Sequence, residues 1–94
     1  MNAKQIISEL NARGAKFVVN TNIMYSKGIN GVGFDSYIHN EEFSSGTKVY
    51  RTFEPNDDCL VVTEKLEPRD KKSYSRRRYI GYDKITYITE IVED

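Results

Sequence analysis

Beyond residue 15 the chain is interrupted too often to make helices. Val, Ile, Thr, Tyr and Phe recur in short runs, and each run stops at a cluster of Gly, Asn, Asp, Ser or Pro. β-branched and aromatic side chains suit a pleated surface, and clusters of this kind supply the turns between antiparallel strands. Six strands are expected, over 16–25, 32–39, 47–54, 59–66, 74–81 and 84–92, separated by breakers at 27–31, 40–46, 55–58, 67–73 and 82–83. The last run also carries a helical stripe, Ile85, Ile88 and Val92 behind Asp83, but its β-branched content favours a strand.

The first dozen residues follow a different period. Asn2 can cap a helix, Gln5 stands three residues on, and Ile6, Ile7 and Leu10 fall on one face of a helix expected over 3–13. Gly14 follows, where a left-handed stop costs least, and Arg13 sets a cation near the negative end of the helix dipole. So narrow an apolar stripe must dock on something, and the only surface on offer is a sheet made by the rest of the chain. The expected class is therefore α+β: one N-terminal helix on a curled antiparallel sheet of five to six short strands, either open or closed into a small Sm- or SH3-like barrel. With 94 residues and 38% apolar content, the chain can bury only one core, so residues 1–94 form a single domain. The 7 Tyr and 4 Phe supply the large side chains that such a core needs. A core this small gains from a partner or a second copy of the chain over an apolar face, which makes a homodimer a further expectation.

The segment Tyr79-Ile80-Gly81-Tyr82-Asp83-Lys84-Ile85-Thr86-Tyr87-Ile88 resembles the closing strand, corner and strand of Sm-like RNA-binding barrels, which also begin with a helix. The likeness is one of fold: Ile80 stands where those proteins carry an Arg before the Gly, and their first signature is not found in this chain. Cys59 is alone and cannot close an intrachain disulfide. The start lacks the charged head, apolar run and cleavage site of a secretory signal, and no apolar run nears the roughly 20 residues that cross a bilayer. A cytoplasmic protein without a membrane partner is expected.

Motifs for chemistry are sparse. Gly28-Ile29-Asn30-Gly31-Val32-Gly33 lacks the ending of a phosphate-binding loop and reads as a hairpin turn running into a strand. One histidine, His39, and one cysteine, Cys59, are too few for a zinc cluster, and Cys59 at the head of an apolar strand reads as a small buried hydrophobe. Glu54, Asp57 and Asp58 lack calcium-loop spacing and read as a solvated turn, while Glu41 and Glu42 are adjacent and would diverge. No cofactor, metal or catalytic set is expected.

Charge is the informative signal. The totals balance, 14 Lys and Arg against 14 Asp and Glu, but the order does not. Residues 54–67 hold Glu54, Asp57, Asp58, Glu64 and Glu67 against Lys65. Residues 69–84 hold Arg69, Lys71, Lys72, Arg76, Arg77, Arg78 and Lys84 against Asp70 and Asp83. Within that basic block Tyr74 and Tyr79 alternate with the cations; Arg binds phosphate and stacks on rings, and Tyr offers a flat face to unstacked bases. Strand alternation places Arg76 and Arg78 with Tyr74 and Ile80, and Arg77 with Tyr79 on the other face. By the same rule Val49, Arg51 and Phe53 oppose Lys48, Tyr50 and Thr52, while Leu60, Val62 and Glu64 oppose Cys59, Val61 and Thr63.

The basic block has three explanations: it faces the acidic block of its own chain, it protects an edge strand from aggregation, or it binds an anionic partner. The functional expectation is a small non-enzymatic binding or regulatory module. It would recognise nucleic acid, a nucleoprotein or an acidic protein surface through Arg69, Lys71, Lys72, Tyr74, Arg76, Arg77, Arg78 and Tyr79. An alternative is an inhibitor of the phage or mobile-element type that acts by protein–protein binding. A third reading is a metal-free ribonuclease with His39 as acid or base beside Arg51 or the arginine cluster.

Overall fold

Asn2 opens the helix as its sequence implies. In the computed structural model, which describes residues 1–26 and 31–93, the Asn2 side chain accepts from the Gln5 backbone N–H at 2.9 Å. The Gln5 side chain accepts in return from the Asn2 N–H at 2.9 Å, completing a capping box. Helix α1 (Ala3–Ala12) ends one residue before the expected boundary, with Arg13 as its C-cap. Gly14 follows at φ +65°, the left-handed turn that glycine adopts without a Cβ clash. Ile7 and Leu10 are its buried residues, and the helix packs against the strands that begin at Thr47 and Ile85.

Seven strands follow rather than five or six: β1 (Lys16–Ser26), β2 (Val32–Ile38), β3 (Asn40–Ser44), β4 (Thr47–Pro55), β5 (Cys59–Pro68), β6 (Tyr74–Gly81) and β7 (Ile85–Ile91). They form two antiparallel sheets, ordered β2-β1-β7 and β3-β4-β5-β6. The sheets do not close into a barrel: β6 and β7 each end a sheet and are joined only by the 3-10 turn Tyr82–Lys84. That turn also takes Lys84 from the strand expected over 84–92, and Ile85–Ile91 is a strand, not a helix, with Val92 beyond its end. The additional strand, β3, lies in a stretch rich in Asn, Glu and Ser that reads as a breaker. Asn40 sits at φ +75°, which bends the chain after His39, so β2 pairs with β1 while β3 pairs with β4. The turn itself is only Ser45 and Gly46, both at positive φ (+51° and +76°), the combination that matches hairpin twist. Of the Gly28–Gly33 motif, residues 28–30 lie outside the described residues; Gly33 is within β2, opposite Tyr25.

The core lies between the sheets and under the helix. Ile7 and Leu10 meet Phe17, Val19, Tyr37, Phe53, Leu60, Val62 and Ile80. Full burial contributes about 1.5–3 kcal/mol for each large side chain, so these few residues supply most of the gain in a domain of this size. At the bulge in β1 the buried Thr21 hydroxyl donates to the Asp35 carbonyl (2.8 Å) and accepts from the Ile23 N–H (3.2 Å), which satisfies backbone groups that the interrupted ladder leaves over. Among the described residues no helix is long and apolar enough to cross a membrane.

Candidate functional site

The basic segment is divided among three places. Arg69, Lys71 and Lys72 lie exposed in the connection between β5 and β6. Together with Ser45, Gly46 and Tyr74 they border a shallow hollow of about 510 Å³, except for Lys72, which stands outside its lining. Tyr74, Arg76 and Arg78 sit on the face of β6 that also carries the buried Ile80, and Arg77 and Tyr79 sit on the opposite, open face. Because β6 ends its sheet, every one of these cations flanks a single sheet edge.

The inner face holds an ion cluster built by cross-strand register. Arg51, Glu64 and Arg76 are direct partners across β4, β5 and β6, and Arg78 lies diagonally from Glu64, opposite Val62. Glu64 is 1% exposed. Its Oε2 accepts from Arg51 Nε at 2.6 Å, and its Oε1 accepts from Arg76 Nε at 2.8 Å and Arg78 Nε at 2.7 Å. Arg51 Nη1 also donates to Glu42 Oε2 at 2.6 Å. The guanidinium carbons of Arg51 and Arg78 lie 5.7 and 5.8 Å from the centroid of the buried Tyr37 ring, within cation–π range. The Tyr37 hydroxyl reaches Asp35 at 3.3 Å.

Burial is the largest single influence on Glu64 and pushes its carboxyl upward. Hydrogen bonds from Arg51, Arg78 and Arg76, with the field of Arg51, outweigh it together and hold the group at about 2. A buried carboxylate is thus kept ionised by three guanidiniums. Burial acts first on Arg51 too, as a downward push, and its bonds to Glu42 and Glu64 reverse it, so its proton is held more firmly than usual. The exposures of the Arg76 and Arg78 side chains are 43% and 39%, and each spends only its Nε edge on Glu64. Among the described residues their Nη atoms have no hydrogen-bond partner, so two fixed guanidiniums keep their outer edges open to water. The explanation in which the basic block faces the acidic one therefore applies to Arg76 and Arg78 through Glu64. It does not extend to Arg69, Lys71, Lys72 or Arg77, which form no ion pair among the described residues.

His39 stands elsewhere in the chemistry of the fold. Its ring stacks on Phe17 (centroids 4.7 Å apart, planes at 18°) and meets Phe53 edge-on at 5.2 Å. Its Nδ1 is buried without a hydrogen-bond partner among the described residues. Burial is the larger influence on its pKa and lowers it, against a smaller upward influence from the nearby Ala15 backbone. No hydrogen bond or ion pair among the described residues joins it to Arg51 or to the arginines of β6. Cys59 is half-buried rather than buried, because alternation gives the inner position to Leu60 and leaves Cys59 outward, opposite Gly81. Among the described residues, no three His, Cys, Asp or Glu side chains converge as a metal site.

Arg51, Glu42 and Glu64 were not among the residues expected at the anion-binding site; Arg51 was expected only beside His39 in the ribonuclease reading. The signal for two of them lies in the alternation: Arg51 shares a strand face with Val49 and Phe53, and Glu64 shares one with Leu60 and Val62, so both charges must point inward. Comparison with protein-family models, curated proteins and solved structures finds no match to this chain.

Proposed function

We propose that this chain is a non-enzymatic binding module that recognises nucleic acid along the β6 edge and the loop before it. The observation that carries the reading is the convergence of Arg69, Lys71, Lys72, Arg76, Arg77 and Arg78 on one sheet edge, with Tyr74 and Tyr79 exposed beside them. Phosphates need cations that do not have to be pulled from other partners first. Arg69, Lys71, Lys72 and Arg77 meet that requirement outright, and Arg76 and Arg78 meet it with their Nη edges.

The test is a salt series of nucleic-acid affinity for the parent chain, an Arg69→Ala/Lys71→Ala/Lys72→Ala variant and an Arg77→Ala variant. These side chains are outside the Glu64 cluster, so folding is preserved; removing Arg76 and Arg78 would strip a buried carboxylate of two partners and confuse binding with stability. Each lost phosphate contact lowers the slope of log affinity against log salt by about 0.7–0.9. Absence of binding at low salt, or affinities unchanged in both variants, would overturn the reading. A second reading, an inhibitor or regulator that binds protein, is favoured by one feature: alternate backbone groups of β6 face away from β5, with no strand beside them among the described residues, an edge that an acidic extended segment can join. Capture of a protein that survives nuclease treatment and competes with an acidic peptide would support that reading over the first.

A further inference from the structure

Among the described residues no helix or strand lies over the outer face of the β3-β4-β5-β6 sheet, although on the central strand β5 the outward Val61 is buried and Cys59 and Thr63 are half-buried among their neighbours. The helix and the second sheet lie on the sheet's other side, and the outward residues of β3, β4 and β6 are solvent-exposed apart from the terminal Gly81. The exposed aromatics of the outer face are Tyr79 on β6 (68% exposed), Tyr50 on β4 (47%) and Phe43 on β3, diagonal to Tyr50. Resting on the reading above, we infer that the nucleic acid is single-stranded and crosses this face, with bases on Tyr79 and Tyr50 and its backbone over Arg77.

Register sets the path. Tyr50 lies level with Lys65 and Ser75, and Tyr79 is four residues beyond Ser75. Two strand spacings across and four residues along place the two Cα positions about 17 Å apart, a span wider than adjacent stacked bases, so the intervening backbone must cross the residues between them. Those residues are Arg77, which has no ion-pair partner among the described residues, and Thr63 and Ser75, whose hydroxyls are further donors, beside Lys65, which is held by Glu67. Thr63, Ser75, Arg76, Arg77 and Tyr79 border a hollow of about 310 Å³ beside the Tyr79 ring. Charge runs along the same direction. β6 has no acidic residue, whereas the outward acids are Glu41, Glu54 and Glu67, and two of these are already neutralised, Glu41 by Lys48 at 3.1 Å and Glu67 by Lys65 at 3.7 Å. The cationic side is therefore the β6 side, continuous with the loop of Arg69, Lys71 and Lys72, and the strand enters there.

A duplex keeps its bases stacked on one another and offers a flat tyrosine nothing but its backbone, whereas unpaired bases expose their faces. The choice between RNA and DNA is left to the arms of the experiment, since stacking and phosphate contacts are common to both.

Labelled mixed-sequence oligonucleotides of about 12 nucleotides, as single-stranded RNA, single-stranded DNA and the matching duplexes, are titrated with the parent chain and its variants by fluorescence anisotropy. Tyr79→Leu and Tyr50→Leu remove the ring but keep apolar volume, which retains cover for Val61, the buried residue opposite Tyr79; matched thermal melts check the fold. The expected result is tighter binding of single strands than of duplexes, with affinity for single strands reduced about fivefold or more in each Tyr variant and the salt slope unchanged. Tighter binding of either RNA or DNA single strands meets this expectation. Equal affinity for duplex and single strand, or wild-type binding by both Tyr variants while the loop variant loses affinity, overturns the single-strand inference and leaves nucleic-acid recognition standing. No binding of any oligonucleotide at low salt overturns both.

Discussion

Replacing Glu64 with Gln keeps the shape of the side chain and removes the charge on which three arginines converge. The ordinary carboxyl value is 4.5 and the folded value is about 2; at 1.36 kcal/mol per pH unit the difference comes to about 3 kcal/mol. A folded pKa below the unfolded one means that this stabilisation is complete above about pH 4.5 and is lost as pH falls toward 2. Breaking a buried pair costs about 3–5 kcal/mol when the remaining charge has nowhere to go. Arg76 and Arg78 are part-exposed and can turn to water, and Arg51 retains Glu42, so Glu64→Gln belongs at the lower end, about 3 kcal/mol. For a domain under 100 residues that is a fall in Tm of about 12–24 °C. Urea unfolding of both chains from pH 7 to pH 2.5 measures it. The gap should be full at neutral pH and close progressively below pH 4.5, because the unfolded parent then binds a proton at Glu64 that it must give up to fold, a cost the Gln chain does not have. A Glu64→Gln chain within about 0.5 kcal/mol of the parent at pH 7, or a gap that does not change with pH, would refute the account of the cluster.

Asn2→Ala removes the side-chain oxygen that accepts from the Gln5 N–H, leaving the backbone N–H of residue 2 to the Gln5 side chain, and should cost about 1 kcal/mol, read as a Tm lowered by about 4–8 °C. Gly46→Ala has no neighbour within 4 Å to clash with, so its cost is the left-handed backbone alone, about 1–2 kcal/mol by denaturant unfolding. His39→Phe keeps a ring between Phe17 and Phe53. Burial depresses the pKa of His39, so the parent loses stability as pH falls below the unfolded value of about 6.5, and the variant should lose less between pH 7 and pH 5 while binding nucleic acid as before. RNA cleavage by the parent that His39→Phe abolishes would instead support the ribonuclease reading.

What the sequence determined by itself was whatever lies within one element. Asn2 and Gln5 face each other because a helix turns in 3.6 residues, and Gly14 ends it because only a residue without Cβ turns left-handed at little cost. Two-residue alternation likewise separated Arg77 and Tyr79 from Arg76 and Arg78, and put Arg51 and Glu64 on apolar faces. The tertiary structure decided the rest. The polar stretch 40–44 is a strand because β4 offers it a ladder; its own side chains argue for a loop. The chain forms two open sheets because Asn40 and the Tyr82–Lys84 turn redirect it, a matter of single backbone angles that composition does not encode. That Glu64 collects Arg51, Arg76 and Arg78 follows from the register of three strands. Register is set by which apolar faces bury together across the sheet, a sum over many distant contacts that no local pattern contains.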